Sequence, residues 1–528
     1  MNPIPRLLDT WLGGGAALRV DGADVPEASL LHRVCAVGEQ LRSLGIDSSS
    51  RVATLMDNSE EAIAVWFASA LLGCLEIPLN TNYRGELLTY LLRDSKAEVV
   101  CCDAQHLATV LACVAGTDVR HVLVSGGAAE DVPGRATVHA LAPPSGAMDF
   151  GRLVSATASG VVLYTSGTTG PSKGVHHSQE SCVELARAVA RLNGYGPGDT
   201  LLNFFPLYHQ NARYTGVAAA LVAGCGFQLD RTFSSSRFWE ICRAGEITAF
   251  NYLGSVLGMI LKSSQELGDA QARDHPVRLA WGAGAQREVW ARFEARFGVA
   301  ITEVYGLSEA PMATINRSSD PSPVGSVGRE GDLFEVRVMR PDGRQADPGE
   351  VGEICLRPKR PDIFMRGYLG RDGDTVTATR DLWFWSGDSG WLNPDGDLFF
   401  SDRIKDAIRR KGENISAWEV ETVLLAQPGV MDCTVYATRP DASGESGEND
   451  VAEEEVMVAL VLASGADLDE VIARAAEDMP RYALPRYWRV LPTLPRTPTH
   501  KVEKARLRAE GLTSGVVDRL TSNDSTDR

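Results

Sequence analysis

The chain has 528 residues, 44% hydrophobic and 23% charged, which is the make-up of a folded globular protein too long for a single hydrophobic core. Its 52 Lys and Arg against 69 Asp and Glu leave a net charge of −17, so most of its surface repels polyanions and nucleic acid is excluded as an expected partner. Ten cysteines without a CxxC pair argue against a disulfide framework or a zinc knuckle, and together with an opening, MNPIPRLLDTWLGGG, that lacks a long apolar core they predict a cytoplasmic chain.

From about residue 20 to 250, short β-branched runs alternate with longer helical ones. Arg51–Met56, Ala97–Ala104, His121–Gly126 and Thr200–Pro206 read as buried strands; Ser59–Cys74, Gly85–Ser95 and Gln179–Gly194 read as helices. Such alternation favours parallel sheets covered by helices. The apolar runs Ala62–Leu75 and Gly216–Phe227 read as buried helices, both short of the roughly 20 residues that span a bilayer, so no membrane span is expected. From about residue 325 the texture changes to short strands and tight turns. Val351–Arg357 is a predicted strand, and Asp395-Gly396 between apolar residues predicts a hairpin. After Lys405 a short helix-and-strand region follows, interrupted by an acidic stretch, Arg439–Glu455, that reads as a solvated loop, and closed by a polar tail, SNDSTDR, expected to be disordered.

Between a predicted strand and a predicted helix lies YTSGTTGPSKGV, residues 164–175. Free backbone N–H groups in such a turn, with Lys173 as a point charge, suit an anion such as phosphate; a plain surface linker has the same composition. A Walker-type loop does not fit, because Ser172 stands where glycine is required and Gly174 follows the lysine. Gly282–Arg287 is not a dinucleotide fingerprint either, since Arg287 occupies the third glycine position. Adjacent His176 and His177 have no acidic or Cys partner at ligand spacing, which argues against a metal there.

YTSGTTGPSKGV resembles the phosphate loop of the adenylate-forming superfamily, to which acyl-CoA synthetases belong. Further resembling segments follow in family order: FPLYHQNA (205–212), WGAGA (281–285), EVYGLSEAP (303–311), VGEICLR (351–357), WSGDSGW (385–391), DRIKDAIRRKGENISAWEVE (402–421) and PTHKVEK (498–504). The wording of PLYHxNA and RRKGENIS is similar to bacterial fatty-acid and crotonobetaine/carnitine-CoA ligases. The resemblance implies an α/β fold. It has a large N-terminal domain, residues 1–401, of stacked mostly parallel sheets with helices plus a small β-barrel-like part. A small mobile α+β C-terminal domain, 402–528, follows a hinge near Lys405.

The activity implied is ATP-dependent activation of a small-molecule carboxylic acid to acyl-AMP, then transfer to CoA. Thr165, Ser166, Gly167, Thr168, Thr169, Gly170 and Lys173 would cradle the β- and γ-phosphates. Glu309, with Thr168, would hold Mg2+, and Ser308 would bond the α-phosphate. Gly282, Ala283, Gly284, Tyr305 and Gly306 would form the adenine face, and Asp388 and Arg403 would take the ribose. Lys501 would bridge the acid's carboxylate and ATP, His209 would gate the acyl pocket, and Gly412 would let the pantetheine arm approach, with Arg409, Arg410 and Lys411 nearby for CoA phosphates. Phe205, Tyr208, Arg213, Tyr214, Leu253, Ser255, Gly258, Trp281, Leu307 and Met312 are expected around the same cavity, Arg213 facing an anionic group on the substrate. Ser308 and Ser386 replace the commoner Thr, and His500 the commoner Gly. Other acceptors or acids (a carrier-protein thiol, an amine, nitrite) remain open at this stage, as do a homodimer and a non-catalytic nucleotide-binding protein.

Overall fold

The computed structural model describes residues 7–8, 17–127, 136–144, 153–155, 160–165, 172–254, 256–285, 287–317, 319–323, 325–403, 408–410, 413–415, 417–438, 455–479, 483–497 and 502–519. The chain divides into two compact units, Met1–Val336 with Leu356–Phe384, and Arg337–Cys355 with Trp385–Arg528.

Among the described residues, the first unit holds sheets of eight and nine strands. The eight-stranded sheet runs, edge to edge, through Gly367–Tyr368, Lys173–His177, Gly160–Thr165, Leu75–Pro78, Arg51–Leu55, Val99–Asp103, His121–Ser125 and Thr137–Ala140. Its neighbours are parallel except around Lys173–His177, which is antiparallel to both partners. The central strands are largely buried and apolar, with Glu76 a buried exception, as suits a parallel sheet covered by helices. Helix Glu60–Leu71 starts where Ser59 accepts from Ala62 N, and it buries ten of its twelve residues. The predicted run Ala62–Leu75 is therefore helical only to Leu71, and Leu75 opens the next strand. Helix Gln179–Asn193, capped by Ser178 and ended by Gly194 at φ 60°, follows the strand that begins at Lys173.

The nine-stranded sheet has a parallel centre, Ala300–Tyr305, Leu279–Ala283, Ala249–Leu253, Thr200–Asn203, Gly226–Leu229 and Leu18–Val20, so the α/β alternation extends past the predicted limit near 250 to Tyr305. The predicted helix Gly216–Phe227 is corrected. A π-helical turn, Asn211–Val217, runs into helix Ala218–Ala223; Gly224 at φ 65° ends it and strand Gly226–Leu229 begins. Periodicity alone does not separate these states in an uninterrupted apolar run.

A third sheet contains Phe334–Met339, Gly352–Pro358, Trp383–Leu392, Thr379–Arg380 and Leu398–Arg403. The predicted hairpin is present: Trp383–Leu392 and Leu398–Arg403 are antiparallel, and Asn393 Oδ1 accepts from Asp395 N and Asp397 N at 3.0 and 2.8 Å. In the second unit a four-stranded sheet, Val430–Thr438, Glu455–Leu462, Tyr487–Val490 and Val516–Asp518, packs around buried Trp488, Val435 and Val458 with helices Ala417–Ala426 and Leu468–Asp478. Glu455, predicted in the acidic loop, is the buried first residue of a strand; residues 439–454 and the tail 522–528 lie outside the described residues.

Candidate active site

Strand Gly160–Thr165 buries Val161, Val162 and Leu163 and delivers the glycine-rich stretch at its end. The chain returns as Lys173–His177, with Thr165 directly opposite Lys173 and Thr165 Oγ1 donating to Lys173 O at 3.4 Å. The two ends of the stretch are thus held side by side. Ser166, Gly167, Thr168, Thr169 and Gly170 lie outside the described residues.

Lys173 Nζ makes a 2.9 Å ion pair with Asp374 Oδ2 and stands 5.0 Å from the ring centroid of Tyr368. The neighbouring lysine holds the Asp374 carboxyl below the usual range. Strand Gly367–Tyr368 pairs with Lys173–His177, bringing Tyr368 opposite Val175. Its hydroxyl donates to Glu309 Oε1 at 2.8 Å, and both residues are buried. Among the described residues Glu309 Oε2 accepts no hydrogen bond.

Glu309 sits in the turn that follows strand Ala300–Tyr305. Ala313 N donates to Tyr305 O at 2.7 Å and Leu307 N to Ala310 O at 3.1 Å, folding Gly306–Met312 tightly. A Cβ on Gly306 would lie 2.5 Å from Met312 N, so only glycine fits. His177 Nε2 lies 2.5 Å from Ser308 O, and burial pushes its imidazole down to about 4. The ring is therefore neutral at pH 7; Nε2 donates to the carbonyl and Nδ1 accepts from Ser181 Oγ at 3.2 Å. His177 thus has a structural use in anchoring the Ser308 backbone.

Gly282, Ala283 and Gly284 close strand Leu279–Ala283. A Cβ on Gly282 would fall 2.0 Å from Tyr252 O, and Gly284 adopts φ 80°. Gly284 N donates to Glu303 Oε1 at 2.9 Å. Glu303 is buried with no cation beside it among the described residues, and burial raises its carboxyl to about 8 against the pull of the Gly284 and Ala285 N–H groups. Tyr305 is buried at the end of the adjacent strand.

His209 follows a segment clamped by Asn58, which donates to Phe205 O and Asp230 O and accepts from Leu207 N, each at 3.0 Å. Gln210 Nε2 donates to Leu307 O at 3.3 Å, tying the residue after His209 to the turn that carries Glu309. Arg213 is corrected. Its guanidinium is 2% exposed, donates to both oxygens of Glu76 at 2.8 and 2.5 Å and lies 4.4 Å over the Trp66 ring, so it is unavailable to a substrate anion. Of the other expected cavity residues, Phe205 and Leu307 are partly buried and Tyr208, Tyr214, Trp281 and Met312 buried, whereas Leu253 is exposed; Ser255 lies outside the described residues.

In the second unit the hairpin places Asp388 directly opposite Arg403. Asp388 is buried, its N–H donates to Ser386 Oγ at 3.1 Å, and Ser386 Oγ donates to Ile354 O at 2.6 Å, so serine supplies the hydroxyl used here. Lys405, Lys411, Gly412 and Lys501 lie outside the described residues. Sequence reasoning missed Tyr368, Asp374 and Asn58; their partners are far away along the chain and no local pattern announces them.

One large sheet thus holds the two ends of the glycine- and threonine-rich stretch, the other presents a glycine-edged strand end, and Tyr368 touches both Lys173 and Glu309. A family model for AMP-binding enzymes matches residues 25–369, and one for the AMP-binding enzyme C-terminal domain matches 419–501. The chain is 31% identical over 507 residues to a medium/long-chain-fatty-acid–CoA ligase of Mycobacterium tuberculosis, covering 91% of this chain and 80% of that protein. It is 30% identical to a sulfoacetate–CoA ligase of Cupriavidus necator, with 89% of each covered. ATP-bound MatB from Rhodopseudomonas palustris superposes with a TM-score of 0.80 at 23% identity over 96% of this chain and 98% of that one, a likeness of fold. The chain belongs to the AMP-binding enzyme family. Among the described residues no helix is long and apolar enough to cross a membrane.

Proposed function

We propose that the chain is an ATP-dependent, AMP-forming acyl-CoA ligase. In the first half-reaction a carboxylate oxygen of the acid attacks the α-phosphorus of ATP and pyrophosphate leaves with the bonding electrons. In the second the CoA sulfur attacks the acyl carbon, its proton is released, and AMP leaves. The observation that carries this reading is that Lys173 and Glu309, the cation and carboxylate expected at the polyphosphate, share one aromatic side chain, Tyr368. Family membership and two CoA-ligase relatives at 30% identity or more support the choice of acceptor.

In this reading Thr165 and Lys173 begin and end the cradle for the β- and γ-phosphates, and the glycine-edged strand end at Gly282–Gly284 receives the adenine. Asp388 and Arg403 hold the ribose, and Lys501 aligns the two reactants. Opposing the charge that develops on the phosphates is the main task of such a site. The open oxygen of Glu309 suits a hard, oxygen-preferring cation, and Mg2+ bound there would offset phosphate charge. The ten free, buried cysteines suit a reducing, cytoplasmic setting. The domain boundary falls at 401/402, with Lys405 as the hinge. With Arg213 committed to Glu76, the acid's recognition rests on the shape and polarity of the rest of its pocket.

The test is pyrophosphate release from ATP and Mg2+ over a panel running from sulfoacetate to long-chain fatty acids, with nitrite included, each with and without CoA. Acid-dependent release sustained only with CoA is expected. Sustained release without CoA would move the reading to another acceptor.

A further inference from the structure

We propose that Tyr368 is a positioning residue for ATP activation: its hydroxyl fixes one oxygen of Glu309 so that the other faces the metal, while its ring seats Lys173. The inference rests on the proposed roles of Lys173 and Glu309.

The geometry begins with the backbone. Residues 365–369 form a short bridge between the turn that carries Glu309 and the strand that begins at Lys173. Met365 N donates to Glu309 O at 3.0 Å, Arg366 N to His176 O at 2.7 Å and Leu369 N to Gly174 O at 2.8 Å. These bonds set the backbones of the two charged residues but leave their side chains free to rotate. Tyr368 supplies what is missing at Glu309 and, alongside the Asp374 ion pair, at Lys173. Its ring face, the negative pole of the aromatic quadrupole, lies 5.0 Å from Lys173 Nζ, inside the range of cation–π attraction. Its hydroxyl, 2.8 Å from Glu309 Oε1, occupies one of two carboxylate oxygens, which restricts rotation of the group and leaves Oε2 as the oxygen available to a cation.

The hydroxyl must stay protonated to do this. A phenol ordinarily titrates at about 10 and an ionised carboxylate oxygen can only accept, so at physiological pH the hydroxyl is the donor. Phenylalanine would keep the ring, the packing and the seat for Lys173 and would lose only the contact with Glu309. Groups that orient a metal-binding carboxylate commonly change metal affinity about 10- to 100-fold when removed.

The experiment uses the full chain and Tyr368→Phe. Mn2+ binding in the presence of the non-hydrolysable analogue AMPCPP is followed by electron paramagnetic resonance, alongside ATP–pyrophosphate exchange at varied Mg2+. The expected result is Mn2+ affinity weakened about tenfold or more and a matching rise in the Mg2+ needed for half-maximal exchange. AMP binding and the KM for the acid stay unchanged. The same substitution in a Glu309→Gln background is expected to add no further loss of Mn2+ affinity, which separates an action through Glu309 from a general structural one. Unaltered Mn2+ affinity in Tyr368→Phe, or an equal loss in both backgrounds, overturns the inference while leaving the ligase reading standing. Wild-type protein that exchanges no pyrophosphate with any acid of the panel overturns both.

Discussion

Glu76 and Arg213 form an ion pair whose side chains are 1% and 2% exposed, with two hydrogen bonds of 2.5 and 2.8 Å and a Trp66 ring 4.4 Å from the guanidinium. Replacing Glu76 with Leu removes the counter-charge and both acceptors, leaving an almost fully buried guanidinium unpaired. Breaking one side of a buried pair in this way costs about 3–5 kcal/mol, whereas replacing both partners with apolar residues of similar volume is often near neutral. Because domains are typically stable by only about 5–15 kcal/mol, a loss of that size is a large share of the total. The assay is urea unfolding followed by tryptophan fluorescence, for which Trp66 is an in-place reporter. Glu76→Leu is expected to lose about 3 kcal/mol or more, and Glu76→Leu with Arg213→Met to recover most of it. A single variant within about 1 kcal/mol of wild type, or a double variant as damaged as the single one, would refute the reasoning. Arg213 lies in the π-helical turn that follows His209, so loss of the pair is also expected to loosen the expected gate.

If Lys173 takes a phosphate as proposed, its 2.9 Å partner Asp374 would compete for it, so Asp374→Asn is expected to lower the KM for ATP while leaving AMP binding unchanged; a raised KM would show that Asp374 orients the lysine instead. Glu303 is raised from 4.5 to about 8 in the folded chain, so between those values the folded state binds the extra proton and stability falls as pH rises. Unfolding free energies at pH 6 and 8.5 should show that decline, and Glu303→Gln should flatten it; an equal decline in the variant assigns the effect to other groups. Lys501→Ala is expected to abolish acyl-AMP formation while sparing thiolysis of supplied acyl-AMP, and equal loss of both half-reactions would remove the role given to Lys501.

Much of this protein could be read locally. Helix Gly85–Ser95 has the predicted bounds, and the strands Arg51–Leu55, Val99–Asp103 and His121–Ser125 fall within their β-branched runs, because hydrophobic period and terminal residues act over one or two turns of chain. The hairpin itself follows from the turn between its strands, but a one-residue shift of the ladder at Ser389/Gly390, not the turn, sets Asp388 opposite Arg403. Thr165 against Lys173 has no such local signal, since strand Lys173–His177 lies where the sequence reads a glycine-rich stretch leading into a helix. Tertiary structure decided what the charged side chains touch. Arg213 could have faced a substrate as far as its neighbours in sequence say; Glu76, on a strand of the eight-stranded sheet, claims it where both side chains are almost fully buried. Tyr368 is an unremarkable tyrosine until strand Gly367–Tyr368 docks beside Lys173–His177 and sets its hydroxyl on Glu309. Backbone hydrogen bonding and hydrophobic period are local and so are written in short windows of sequence. Which cation meets which carboxylate depends on contacts between residues far apart along the chain, and only the packed fold brings those together.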